Sequence, residues 1–315
     1  YIWPLNNQTY TISNNTDFVI LTNQFNCDSV VTLDVTINTS PSSNISTSSN
    51  YNTFGVSCNG DDDGWIDLTV NGGVLSYNYS WTGPNGYTSS SQDINTLLAG
   101  TYNVTVTDAN LCTTSETHVI TEPILLTSSV DTSNFNGFGV HCNGDADGWI
   151  NLTVNDGVPN YSYSWTGSTT SSLQNLSNLD AGTYNVTVTD ANSCTTLETV
   201  VITEPTSFVD VGGGATKSTY SGGFNISCNG YNDGTITVQS SGGVAPYTYF
   251  EGVIPNSPST SGVFSDLFFG TYNLSVRDAN LCEVNWNNII LTEPTELTSN
   301  ISTSSNYNTF GVSCN

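Results

Sequence analysis

Cysteines are the residues of this 315-residue chain best placed to do chemistry, and six of the eight recur in two fixed settings. Three open a Cys-Asn-Gly turn, at Cys58, Cys142 and Cys228. Three close an Asp-Ala-Asn-x-Cys segment, at Cys112, Cys194 and Cys282. Cys314 starts a fourth Cys-Asn, and Cys27 belongs to neither setting. One thiol per turn, with no second Cys or His beside it, is not zinc spacing. The repetition predicts disulfides: Cys58 with Cys112, Cys142 with Cys194, Cys228 with Cys282, closing loops of 52 to 54 residues. Each would stabilise by about 4 kcal/mol in the chain-entropy treatment. Such bridges imply an oxidising, extracytoplasmic setting.

Carboxylates are the second candidate chemistry. Asp61, Asp62 and Asp63 precede Gly64, and Asp145 and Asp147 precede Gly148. Clustered carboxylates on a glycine turn offer hard oxygen ligands for Ca²⁺, so Asp61, Asp63, Asp145 and Asp147 are the candidate metal ligands and calcium the one candidate cofactor. The competing expectation is a solvated turn, fixed by Asx hydrogen bonds. The third copy keeps only Asp233. Glu122, at the end of the first copy, is placed to join a bridging ion. His118 and His141 are the only histidines, and Val200 and Ser57 stand at the corresponding places in other copies. No Ser-His-Asp set, phosphate loop or zinc cluster appears, so no enzymatic chemistry is expected.

Strands must position these turns. Charged residues make up 9% of the chain, against roughly 25% in ordinary soluble proteins. Asp and Glu number 27 and Lys and Arg 2, a formal charge of −25. That balance excludes nucleic acid and anionic lipid as partners, for want of cations to neutralise phosphates. Polarity comes from Asn, Ser, Thr and Gly, which favour turns and exposed β faces. Apolar residues alternate, as in Trp65-Ile66-Asp67-Leu68-Thr69-Val70, and no run is long enough to insert in a membrane. The alternation points Trp65 and Trp149 outward, as ligand contacts or module contacts. Tyr77, Tyr79 and Trp81 share one strand face and are expected in the core, with a glycan platform as the alternative.

The copies recur every 84 to 86 residues, each ending in Thr-Glu-Pro (Thr121-Glu122-Pro123, Thr203-Glu204-Pro205, Thr292-Glu293-Pro294). The expected divisions are residues 1–39, the end of a different Ig-like β module; repeats at 40–123, 124–205 and 206–294; and a truncated fourth start at 295–315. Ser43 to Asn59 is identical to Ser299 to Asn315, which predicts that the array continues. The expected fold is all-β: tandem Ig-like β-sandwich modules of about 85 residues in a linear array, one disulfide each. Leu179-Asp180-Ala181-Gly182-Thr183-Tyr184 resembles the tyrosine corner of such sandwiches.

The combined pattern is longer than any of these pieces. It runs Cys-Asn-Gly-x-x-Asp-Gly-x-Ile, Gly-Gly-x-x-x-Tyr-x-Tyr-x-Trp, Ala-Gly-Thr-Tyr-x-Val-x-Val-x-Asp-Ala-Asn-x-Cys and Ile-Thr-Glu-Pro. It resembles the SprB-type repeat of large cell-surface adhesins in gliding Bacteroidetes-type bacteria, over about Ser42 to Pro294. The third copy departs from it, with Tyr231-Asn232-Asp233 at the acidic turn and Glu251 where Trp81 and Trp165 stand. The resemblance implies export to the outer surface, by the type IX route, with roles in adhesion and gliding. Asp28-Ser29-Val30 resembles the short O-glycosylation signal of such bacteria, which makes Ser29 a candidate glycosylation site. The resulting expectation is an adhesive extracellular fibre or stalk whose partners are neighbouring modules, surface glycans or other fibres. The alternative is a glycan-binding array on a larger secreted protein or enzyme.

Overall fold

The computed structural model describes residues 1–252 and 259–301. Cys314 and the other residues of 302–315 lie outside them. The described residues are all-β, with a single 3-10 turn at Pro84–Gly86. None of its helices is long and apolar enough to cross a membrane, among the described residues.

The first repeat has seven strands in two antiparallel sheets. Ser42–Ser48, Gly64–Asn71 and Ile94–Leu97 form one, in that order. Thr113–Ile120, Gly100–Thr107, Asn78–Thr82 and Thr88–Ser89 form the other. Alternation decides which side chains meet between them. In Gly64–Asn71, Ile66 and Leu68 point inward while Asp67 and Thr69 are exposed. In Gly100–Thr107, Tyr102, Val104 and Val106 point inward. These residues close on Val56, Trp81, Ile94, Leu97 and Ile120 to make one core. Trp81 is 1% exposed, and its Nε1 donates to the Ser91 carbonyl at 2.9 Å. Tyr77 and Tyr79 pack at the edge of that core. Trp65 and Trp149 are half-buried on the opposite strand face from Ile66 and Ile150.

Six of these strands recur in the second repeat, where an isolated bridge, Trp165 with Ser171, replaces the seventh and Gly148–Asn155 has the same burial pattern as Gly64–Asn71. The third repeat has two three-stranded sheets and a short pair, Val209–Asp210 with Ser240–Ser241. Glu251 is exposed at the place of the core tryptophan. Tyr249 and Trp286 fill that core instead.

The tyrosine corner is present three times. The hydroxyls of Tyr102, Tyr184 and Tyr272 donate to the carbonyls of Leu98, Asp180 and Phe268, at 2.9, 2.8 and 2.9 Å. Replacing Tyr102 by Phe keeps the ring and removes this hydrogen bond, so the expected loss is about 1 kcal/mol, read as a shift in the urea midpoint.

Residues 1–39 form two hairpins, Ile2–Trp3 with Gln8–Thr9 and Phe18–Thr22 with Asp28–Thr32, over a small core of Trp3, Tyr10 and Leu33. The ladder stops at Thr32, and only an isolated bridge, Asn14 with Val35, lies beyond it. Exposed Ser29 lies in the strand Asp28–Thr32.

Two compact units are present. One comprises Tyr1–Ser129, Thr153–Ser164 and Val186–Glu198; the other Val130–Leu152, Trp165–Asn185 and the chain from Thr199 on. They do not follow the sequence period, because the second repeat contributes to both.

Candidate functional site

Each Cys-Asn-Gly turn is built by its own repeat. In the first, the Gly55 and Val56 amides donate to the Thr121 carbonyl, and the Asn59 side chain donates to the Pro123 carbonyl at 3.0 Å. The Glu122 carboxylate accepts the Gly60 amide at 2.8 Å. The second and third repeats copy this, with Asn143 on Pro205 and Glu204 on Gly144, then Asn229 on Pro294 and Glu293 on Gly230. Glycine closes the turn because its φ is +84° at Gly60, which a side chain disfavours. Thr-Glu-Pro is thus the seat of the Cys-Asn-Gly turn. The sequence reading placed Glu122 at a bridging ion and missed this role, although both motifs occur once per repeat.

The acidic turns are also engaged. Asp63 accepts the Ser57 amide at 3.0 Å, and Asp61 accepts the Ser57 hydroxyl at 2.9 Å. Asp147 accepts the His141 amide at 3.1 Å and bonds the His141 ring, which stacks on Phe135. Asp145 accepts the Cys142 amide at 3.2 Å. In the third copy Asp233 accepts the Ser227 amide, so the one retained carboxylate is the one that sets the residue before the cysteine. Among the described residues, no group of three or more His, Cys, Asp or Glu side chains is arranged to hold a metal ion.

The Asp-Ala-Asn-x-Cys turn is organised by its own buried aspartate. Asp108 is 1% exposed and accepts three backbone amides, from Val74 at 3.0 Å and from Asn110 and Cys112 at 2.9 Å. Burial alone would raise its pKa, but the amides of Val74, Cys112 and Asn110 hold it below the usual carboxylate value. The Asp147 carboxyl is likewise lowered: burial opposes ionisation, and the His141 hydrogen bonds outweigh it. A lowered folded-state pKa contributes stability above the unfolded value, about 3.9, and loses it as pH falls through the folded value. The urea midpoint is therefore expected to drop between pH 5 and pH 2. An Asp108→Asn variant should be less stable at pH 7 and show a shallower acid limb.

The disulfides join these two turns across repeats. Cys58 of the first repeat bonds Cys194 of the second, and Cys142 of the second bonds Cys282 of the third, with Cα atoms 5.7 Å apart in both. The expected pairs Cys58–Cys112, Cys142–Cys194 and Cys228–Cys282 are corrected. Among the described residues, Cys112 and Cys228, with Cys27, carry free thiols. The reason is strand length. Cys58 is tied to Thr121–Pro123, past the end of Thr113–Ile120, while Cys112 precedes the start of that strand. An eight-residue strand spans about 26 Å. Disulfide geometry allows Cα separations of only about 4.4 to 6.8 Å, so the two thiols of one repeat cannot meet.

An asparagine reinforces each bridge. The Asn192 side-chain amide donates to the carbonyls of Tyr51 and Ser57, at 3.3 and 2.9 Å, and its oxygen accepts from Asn52. Asn280 repeats this on Phe135 and His141, at 3.2 and 2.8 Å, and accepts from Asn136 at 2.6 Å. This asparagine was legible as the fixed letter of Asp-Ala-Asn-x-Cys, but its role was not. Beside the first bridge lies a cavity of about 310 Å³, lined by Cys58, Pro123, Leu125, Leu126, Asp190 and Cys194 among others.

Look-alike two-sheet repeats, covalently stapled each to the next, define an all-β tandem-repeat protein. The SprB repeat family profile matches residues 50–86, 140–170 and 225–250, one stretch in each copy. These three stretches resemble the SprB repeat, a structural repeat associated with cell-surface proteins. No curated protein matches it. A crystal structure of a Salmonella alpha-2-macroglobulin variant aligns at 8% identity and a TM-score of 0.17, over 87% of this chain and 28% of that one. That likeness is too remote to assign a fold or a function.

Proposed function

We propose that the chain is a stretch of an adhesive protein on the outer surface of a bacterium, in which successive repeats form a covalently reinforced fibre or stalk. Each repeat is an Ig-like sandwich in this reading, with divisions at 40–123, 124–205 and 206–294. Export by the type IX route and a part in gliding belong to the same proposal. The observation that carries it is the repeat-to-repeat disulfide, which lets pulling force pass along the chain through sulfur bonds. The resemblance to the SprB repeat and the oxidising compartment that disulfides require support the surface location. The acidic charge, with two basic residues in the chain, keeps neighbouring fibres apart.

Antibodies against the repeats should label intact cells of the source bacterium, and deleting the repeats should reduce attachment to a surface. Labelling only after permeabilisation would remove the proposal. Unchanged attachment together with saturable binding of a polysaccharide to the purified chain would replace it with the glycan-binding array.

A further inference from the structure

The two staples use one kind of plug and one kind of socket. The plug is the Asp-Ala-Asn-x-Cys turn, presenting one thiol and one side-chain amide. The socket is the Cys-Asn-Gly turn with the two carbonyls upstream of it. Two plugs are seated, at Asn192–Cys194 and Asn280–Cys282, and two sockets are filled, at Cys58 and Cys142. Among the described residues, one plug and one socket are open.

The open plug is that of the first repeat. Asp108 sets its backbone through the same bonds to the residues at plus two and plus four as Asp190 and Asp278. Cys112 carries a free thiol, and Asn110 is exposed where Asn280 is 5% exposed. The open socket is that of the third repeat. Asp233, Glu293 and Asn229 shape it as their counterparts do, and Cys228 is a free, exposed thiol. Tyr220 and Ser227 occupy the places of Tyr51 and Ser57, whose carbonyls receive the plug. The socket departs in its upstream turn: Ser221 stands where Asn52 and Asn136 bond the plug's asparagine, and Tyr220 and Phe224 are four residues apart where Tyr51 and Phe54 are three.

We propose that Cys112 and Cys228 are the two open halves of this same latch, and that the occupant of each is a further copy of the repeat. Between two copies of this chain the bond is head to tail, Cys228 of one with Cys112 of the next. A heterologous contact of that kind extends instead of closing. The step is an oxidation. Two thiols give one disulfide, and a small-molecule disulfide such as oxidised glutathione takes the two electrons and two protons, leaving as two thiols. The inference rests on the repeat geometry and stands whether or not the array adheres to anything.

The test uses the full chain with Cys27→Ser and Cys314→Ser, incubated at high concentration in a glutathione redox buffer. The expected result is a ladder of disulfide-linked multimers, with peptide mapping showing Cys112 joined to Cys228 and intact Cys58–Cys194 and Cys142–Cys282 bonds. Adding Cys112→Ser or Cys228→Ser should abolish the ladder, and mixing those two variants should give a dimer and nothing larger. Asn110→Ala should slow the cross-link about tenfold, the effect of about 1.4 kcal/mol of lost hydrogen bonding, while leaving alkylation of Cys112 by iodoacetamide unchanged. Symmetric Cys228–Cys228 dimers would overturn the proposal. So would thiols that stay free while the internal bridges are intact, or an Asn110→Ala rate equal to that of the parent.

Discussion

Stretched from its ends, the oxidised chain should lengthen far less than the reduced chain. Cys58 and Cys282 are 224 residues apart, and without bridges they can separate by about 760 Å at full extension. The two staples overlap in sequence, because Cys142 lies inside the loop closed by Cys58 and Cys194. The shortest covalent path from Cys58 to Cys282 crosses one bridge, returns along the 52 residues from Cys194 to Cys142, and crosses the other. That path allows about 190 Å. Single-molecule pulling should therefore show a contour length about 570 Å shorter before reduction than after it. Equal contour lengths would mean that the pairing is wrong. The bridges should raise equilibrium stability as well. A loop closed over 136 residues contributes about 5 kcal/mol in the chain-entropy treatment, so reduction is expected to lower the urea midpoint strongly.

The second large effect is expected at a residue that touches neither sulfur. Asp190 is 6% exposed, and its carboxylate accepts the amides of Val158 and Asn192 at 2.8 Å and of Cys194 at 2.9 Å. Asp190→Ala leaves three amides without an acceptor. At about 1 to 3 kcal/mol for each buried donor, the loss is about 3 kcal/mol or more. It should also release the backbone that aims Asn192 and Cys194 at the first repeat. Oxidative refolding of the variant is then expected to give scrambled bridges, with Cys58–Cys194 recovered in a minority of molecules by peptide mapping. Asp180 is exposed and lends only its backbone carbonyl to Tyr184, so Asp180→Ala should lie within about 0.5 kcal/mol of the parent. A variant at Asp190 that refolds with native bridges at parental yield would show that the carboxylate does not organise the latch.

Much of the repeat was legible because its signals are local. Alternation in Trp65 to Val70 predicts which residues face inward, and Ile66 and Leu68 are in the core. Tyr102 and Tyr184 could be read as corner tyrosines because the hydrogen bond spans four residues of one chain segment. Gly64, Gly148 and Gly234 recur because a Cβ there would approach the carbonyls of Leu97, Leu179 and Leu267 within 2.7 to 2.9 Å. The motif glycine was visible in the sequence, but the neighbouring strand that requires it was not. The same holds for Asp61 and Asp63, whose residue types suit a cation and whose oxygens are engaged by Ser57. Trp286 was not singled out at all. It enters the third core where Glu251 has replaced a tryptophan, a substitution between strands that no short window connects.

The sequence alone determined the period, the strand faces, the corner and the presence of disulfides, since each depends on residues near one another in the chain or on counting. It could not choose between joining Cys58 to Cys112 and joining it to Cys194. Both pair one Cys-Asn-Gly turn with one Asp-Ala-Asn-x-Cys turn, and a periodic sequence is indifferent to a shift by one period. Only the tertiary structure made the choice, because a disulfide forms where two Cα atoms come within about 6 Å of each other. The strand Thr113–Ile120 holds the two turns of one repeat at its opposite ends, and the next repeat brings its own turn to the near one.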